Sequence, residues 1–250
     1  YRLNERGVQW VDKEDWMYRT TFDVSPELLS KENIILRFDG LDTYADVTLN
    51  GKKILSADNM FREWQADVRS LLKLKDNQLE VYLHSPIKIA MPKWEAVPFQ
   101  YRSSNDQSEN GGLFDRKVGV FVRKAGYHFG WDWGPRLVTS GIWRPVTLEA
   151  WNDARINDVF YNQKAVTERE ASIDVVVELL ADKEVTAELK VVNRTDHRME
   201  NRKSVHLTKG LNKVPVSFTM KKPKLWWTNG LGEPFLYDMA VTLDLNGTEV

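Results

Sequence analysis

The chain has 250 residues and a formal net charge of −1, which gives no electrostatic basis for binding nucleic acid or an anionic membrane. It contains no cysteine, which excludes disulfides, thiol catalysis and thiolate metal sites. The four histidines (His84, His128, His197, His206) lack metal-ligand spacing, no apolar run approaches a membrane span, and no signal-peptide pattern opens the chain. No metal and no other cofactor is expected.

Short alternating runs dominate the first half. Tyr18 to Val24, Asn33 to Phe38 and Ala45 to Leu49 are predicted strands. Asn50-Gly51 follows, then Lys52 to Leu55; an Asn-Gly pair between two such runs predicts a two-residue hairpin, because both residues tolerate positive φ. Gln78 to Leu83 is the next strand, and Val68 to Lys75 reads as a turn or a short helix. Residues 86–112 break the rhythm with Pro92, Pro98 and a polar run from Ser103 to Gly112. A connection this long in a compact domain is usually functional or disordered. With Trp94, Phe99 and Tyr101 in it, it is expected to be an ordered loop packing near the segment that follows.

That segment is Val122 to Pro145, centred on Gly130-Trp131-Asp132-Trp133-Gly134-Pro135. Glycine permits unusual backbone angles and Pro135 biases Gly134 away from the helical region, so a non-helical turn is predicted. Such a turn holds two indoles and a carboxylate at fixed, different orientations. Indole faces suit the C–H surfaces of a sugar, and an ionised acceptor suits its paired hydroxyls. The same residues would also serve if both tryptophans were core and Asp132 capped a turn.

Trp143 to Ala150 is a further strand. A second strand-rich unit starts after Trp151-Asn152-Asp153-Ala154, with strands at Ile173–Leu180, Val185–Val192, Val214–Met220 and Leu236–Leu245. Strands at this spacing without intervening helices predict an all-β chain of sandwiches, the second of immunoglobulin-like size. The predicted domains are residues 1–152 and 153–250. The chain ends in Asn246-Gly247-Thr248, a hairpin turn with its return strand barely begun. It is therefore expected to be cut at both ends, with the first strand of the first sandwich and the end of the second missing.

Several stretches, in order, resemble glycoside hydrolase family 2, and its β-mannosidases in particular. Asn4-Glu5, Val8-Gln9-Trp10 and Asp15-Trp16-Met17-Tyr18 are similar to the family's entry motif. Gly40-Leu41-Asp42-Thr43-Tyr44-Ala45 through Asn50-Gly51 is similar to its strand and hairpin, and Asn59-Met60-Phe61 follows. Val122-Arg123-Lys124, Trp131 to Pro135 and Gly141-Ile142-Trp143 form the most discriminating segment. Pro223 to Tyr237 resembles the following element, with Thr228 where proline is usual. The resemblance spans nearly the whole chain.

The resemblance implies a jelly-roll (galactose-binding-like) β-sandwich, an immunoglobulin-like β-sandwich, and then a (β/α)₈ barrel that carries both catalytic glutamates and is absent here. It implies retaining hydrolysis of terminal, non-reducing β-D-mannose, with β-mannoside glycans or manno-oligosaccharides and the missing barrel as partners. No residue of this chain is assigned a catalytic role. Trp131, Asp132 and Trp133 are the implied substrate-binding residues, completing the terminal-mannose subsite. Arg123, Lys124, His128 and Arg136 are read as structural or rim residues, and Trp226 and Trp227 as interdomain or core packing. Asn193-Arg194-Thr195 and Asn246-Gly247-Thr248 fit the glycosylation pattern, which also arises by chance. Three other readings stay open: another β-glycosidase on the same scaffold, a free-standing carbohydrate-binding module, and a two-sandwich adhesion protein.

Overall fold

Alternation of apolar and polar residues builds the first unit. In a computed structural model describing residues 2–103, 105–195, 200–245 and 247–249, every second residue of Asn33–Phe38 is buried: Ile34, Leu36 and Phe38. The expected turn at Asn246, along with Ser104 and His197, lies outside the described residues.

The chain divides into units of residues 1–150 and 151–250. In the first, the strands are β1 (Trp16–Phe22), β2 (Asn33–Phe38), β3 (Leu41–Asp42), β4 (Tyr44–Leu49), β5 (Lys52–Asp58), β6 (Trp64–Asp67), β7 (Asn77–His84), β8 (Gly141–Ile142) and β9 (Val146–Trp151). They form sheets β1-β7-β4-β5 and β6-β2-β9 and a small β3-β8 ribbon. The inner faces of the two larger sheets meet in one core containing Ile34, Phe38, Val47, Leu49, Val81 and Leu83. The hairpin at Asn50-Gly51 forms as expected, with φ of 50° and 80°, and pairs Leu49 with Lys52.

On the outer face of that hairpin, partial burial pushes the Asp46 carboxyl up. Hydrogen bonds from Lys53 (2.7 Å), Ser56 (2.6 Å) and His84 (3.1 Å) outweigh it and hold the group at about 2, below its ordinary 3.8. The charged form therefore stabilises the fold above the unfolded-state value, and the contribution is lost as pH falls toward 2. The gap in urea midpoint between the wild-type chain and Asp46→Asn should be flat from about pH 7 to 5 and close between about pH 4 and 2. A gap independent of pH would contradict this assignment.

Residues 86–112 are not the single loop the sequence suggests. They begin with an α-helix, Pro86–Glu95, whose cap is Ser85: its side chain accepts the Lys88 N–H at 3.1 Å, and Pro86 takes the first position. Pro92 inside the helix is what disguises it, since proline reads as a breaker. Ile87 and Ala90 are buried against Leu113, Val118, Val122, Phe129, Val138 and Tyr44 in a small core distinct from that between the sheets.

The second unit contains β10 (Ala154–Val166), β11 (Glu170–Ala181), β12 (Val185–Asn193), β13 (Glu200–Leu207), β14 (Gly210–Lys221), β15 (Met239–Leu245) and β16 (Thr248–Glu249). Sheets β10-β11-β14 and β13-β12-β15-β16 enclose a core that includes Val177, Leu179, Leu189, Leu207 and Leu243. Both units are β-sandwiches, and this is the all-β architecture expected.

Candidate functional site

Stretches that are far apart in sequence meet around the W-D-W segment. Leu41 pairs with Ile142 and Asp42 with Gly141, and Trp143 donates its backbone N–H to Gly40 O at 3.2 Å. Asn59 bridges to Arg123, Met60 N–H reaches Arg123 O at 3.0 Å, and Trp143 Nε1 donates to Met60 O at 3.0 Å. The long irregular segment is thus tied at its start and at its end to the hairpin region of the first sandwich.

Between these ties the chain makes a tight turn. Trp131 N–H donates to Gly134 O at 3.0 Å and Gly134 N–H returns to Trp131 O at 3.4 Å, which leaves Asp132 and Trp133 at the tip. Gly130 enters the turn with φ of 109°, a value that L side chains rarely adopt. Phe129 and Val138 on either side are buried in the small core, so the turn projects from a packed base.

The alternative in which both tryptophans are core does not hold. Trp133 is 78% exposed, Trp131 37%, and Asp132 is exposed with no hydrogen bond or ion pair among the described residues. An exposed carboxylate between two accessible indole faces presents strong acceptors and apolar surface together. The tip is open: a cavity of about 800 Å³ lies in the second unit, lined by residues such as Tyr161, Phe218, Trp227 and Tyr237, and the turn has no part in it. Trp226 and Trp227, for which core packing was one expectation, are 55% and 44% exposed at that cavity instead. Their segment, residues 222–238, has little regular structure.

Two buried ion pairs brace the turn. Arg136 Nη2 donates to Asp12 Oδ2 at 2.5 Å, and Arg136 Nη1 donates to Gln9 Oε1 at 2.7 Å. Gln9 Nε2 in turn donates to Arg136 O at 2.7 Å. Burial pushes the Asp12 carboxyl up in spite of the adjacent guanidinium. Lys124, whose side chain is fully buried, pairs with Asp42, and Thr139 Oγ1 donates to the same carboxylate at 3.3 Å. Burial pushes the Lys124 ammonium down in spite of Asp42. Burial, together with that ammonium, also lowers the His128 imidazole. Arg123, by contrast, pairs with Asp58 at the exposed surface.

The three residues selected from sequence therefore sit together on one tip. Gln9, Asp12, Asp42 and Gln107, which hold that tip, were not among the expected site residues, although Gln9 and Asp42 fall in family-like motifs; their contacts span up to 127 residues. Asn193, of the first glycosylation-type tripeptide, is fully buried, with Oδ1 accepting Thr195 N–H at 2.9 Å. Asn246, of the second, lies outside the described residues.

Residues 1–144 match the model of the glycosyl hydrolase 2 galactose-binding domain-like family, and residues 154–250 match that of the glycosyl hydrolases family 2. The chain belongs to glycosyl hydrolase family 2. It is 36% identical, over 99% of its length, to "Beta-mannosidase B" of Aspergillus flavus and likewise to that of Aspergillus oryzae. It spans about 28% of the length of each of those relatives. Among solved structures it is similar to a β-D-mannosidase from Dictyoglomus thermophilum, at 37% identity and a TM-score of 0.86, covering 99% of this chain and 30% of the other. A putative β-galactosidase from Bacteroides fragilis, at 22% identity and a TM-score of 0.67, shares the fold over 95% of this chain and 31% of its own.

Proposed function

We propose that this chain is the amino-terminal part of a retaining exo-β-mannosidase acting on terminal, non-reducing β-D-mannose in glycans or manno-oligosaccharides. In this reading it supplies substrate recognition, and the acid–base chemistry resides in a (β/α)₈ barrel on which it docks. A retaining mechanism requires two carboxylates about 5 Å apart on either side of the scissile bond. The braced tip carries one carboxylate between two indoles, which suits binding a pyranose and not cleaving its glycosidic bond. Asp132 accepts hydrogen bonds from sugar hydroxyls, while Trp131 and Trp133 wall the subsite. A convex tip encloses no ligand by itself, so the remaining walls come from the barrel.

The observation that carries the reading is the turn itself: three unpartnered, exposed, sugar-suited side chains on a packed base. Its occurrence in a chain similar to β-mannosidases over nearly all its length supports mannose over other sugars. The test uses the full-length protein that carries this chain, with aryl β-mannoside, galactoside, glucoside, glucuronide and glucosaminide as substrates. The mannoside should be turned over preferentially. Asp132→Ala should lower kcat/KM by about ten- to a hundredfold, the loss of charge-assisted hydrogen bonds worth about 1.5–3 kcal/mol. Preferential turnover of another glycoside would refute the mannose assignment, and an unaffected Asp132→Ala enzyme would remove the turn from the subsite.

A further inference from the structure

The turn's own closing hydrogen bonds tie Trp131 to Gly134, but they do not attach the tip to the rest of the unit. Besides the buried pairs of Arg136 and Lys124, attachment also comes from the polar loop that precedes it. Gln107 N–H donates to Phe129 O at 2.8 Å, and Gln107 Nε2 donates to Trp131 O at 2.8 Å. One residue thus grips the carbonyls on both sides of Gly130. The fit is close: a Cβ on Gly130 would come within 2.6 Å of Gln107 Cγ and Cδ, so a side chain there would expel the glutamine. Gln107 is itself oriented, because Asn110 Nδ2 donates to its Oε1 at 3.2 Å. The loop beneath is fastened by Asp106, which is buried and accepts from Ser108 Oγ and, at 2.8 Å, from Gly119 N–H.

We propose that Gln107 is a positioning residue for the recognition tip: by clamping the Phe129 and Trp131 carbonyls it sets the direction in which Trp131 and Asp132 point. The inference rests on the proposed role of the turn in the terminal-sugar subsite. It assigns a use to the polar run of residues 103–112, which the general architecture does not require. Gln107 touches no substrate; it acts through two peptide planes. A displacement of about 1 Å in a positioned group can cost about a hundredfold in rate. Loss of this clamp is therefore expected to matter more than the loss of one half-exposed hydrogen bond.

The deciding variant is Gln107→Glu, which keeps the length and shape of the side chain and replaces the donor to Trp131 O with a repelling oxygen. In the full-length protein it should lower kcat/KM for an aryl β-mannoside by about tenfold or more, within the hundredfold bound above, and leave the thermal midpoint unchanged. Gln107→Lys, which restores a donor, should recover part of the loss. In an Asp132→Ala background, Gln107→Glu should cause a smaller further loss than in the wild type, because part of its effect acts through Asp132. Amide hydrogen exchange over residues 129–136 should be faster in Gln107→Glu.

Multiplicative losses in the double variant, or an unchanged kcat/KM in Gln107→Glu where Asp132→Ala is impaired, would overturn the positioning role. Unchanged exchange would overturn it whatever the activity. If Asp132→Ala were itself unimpaired, the subsite reading would fail, while exchange would still decide whether Gln107 holds the turn.

Discussion

Arg136→Met is expected to destabilise the first unit by about 3–5 kcal/mol, the usual cost of breaking a buried ion pair from one side. The Arg136 side chain is 1% exposed and that of Asp12 2%, so truncation strands a carboxylate with no access to water. The site allows little rearrangement: Gly111 lies so close that a Cβ there would come within 2.5 Å of Arg136 Cζ. The pair is also incompletely satisfied, since Arg136 Nε and Asp12 Oδ1 are buried without hydrogen-bond partners. A pair of this kind contributes little relative to an apolar substitute of similar volume, although half of it is costly to leave behind. Arg136→Met combined with Asp12→Leu should therefore recover most of the stability lost by Arg136→Met alone. Seven of the ten tryptophans lie in the first unit, so a fluorescence-detected melt follows mainly that unit. At about 2–4 °C per kcal/mol for a domain of this size, the single variant should melt about 6–20 °C lower. A loss below about 1 kcal/mol would show that water or a rearranged partner replaces the guanidinium.

Lys124→Met is the second large effect expected, again about 3–5 kcal/mol. Its partner Asp42 is 4% exposed and lies on β3, the short strand that ties the far end of the W-D-W segment to the sheet region. Without the ammonium, Asp42 keeps, among the described residues, only hydroxyl donors, from Thr43 and Thr139. A double-mutant cycle with Asp42→Asn separates the pair from its surroundings. Each single change should be severe, and the double change much milder than their sum. Simple additivity would mean that Lys124 stabilises through its packed methylenes and not through its charge.

Much of this arrangement is written locally. Ile34, Leu36 and Phe38 alternate cleanly, and Asn50-Gly51 meets the backbone demands of its hairpin, so those elements are legible from the residues alone. β10 is 13 residues long yet escapes such a reading, because bulges between Ile156 and Asp158 and between Gln163 and Ala165 shift its alternation out of phase. β13 escapes it because it is a polar edge strand carrying Arg202 and Lys203. At the candidate site, Gly130, Gly134 and Pro135 announce a turn, and its tip residues follow. What braces the tip does not follow: Gln9 and Asp42 stand in family-like motifs and Asp12 and Gln107 in none, but no local pattern pairs any of them with this segment. Long-range polar partners have no period and no spacing.

The small core beneath the turn has a consequence for how such a protein changes over time. Phe129 and Val138 pack with Ile87, Leu113 and Val118, apart from the residues that join the two sheets of the first sandwich. The exposed tip residues Trp131, Asp132 and Trp133 lie in neither core, so substitutions there should combine almost independently with substitutions between the sheets. Recognition and stability become separately adjustable properties of one polypeptide. An engineer seeking a different sugar preference can accordingly vary the exposed residues Trp131 to Trp133 while leaving the packed base and its ion pairs in place.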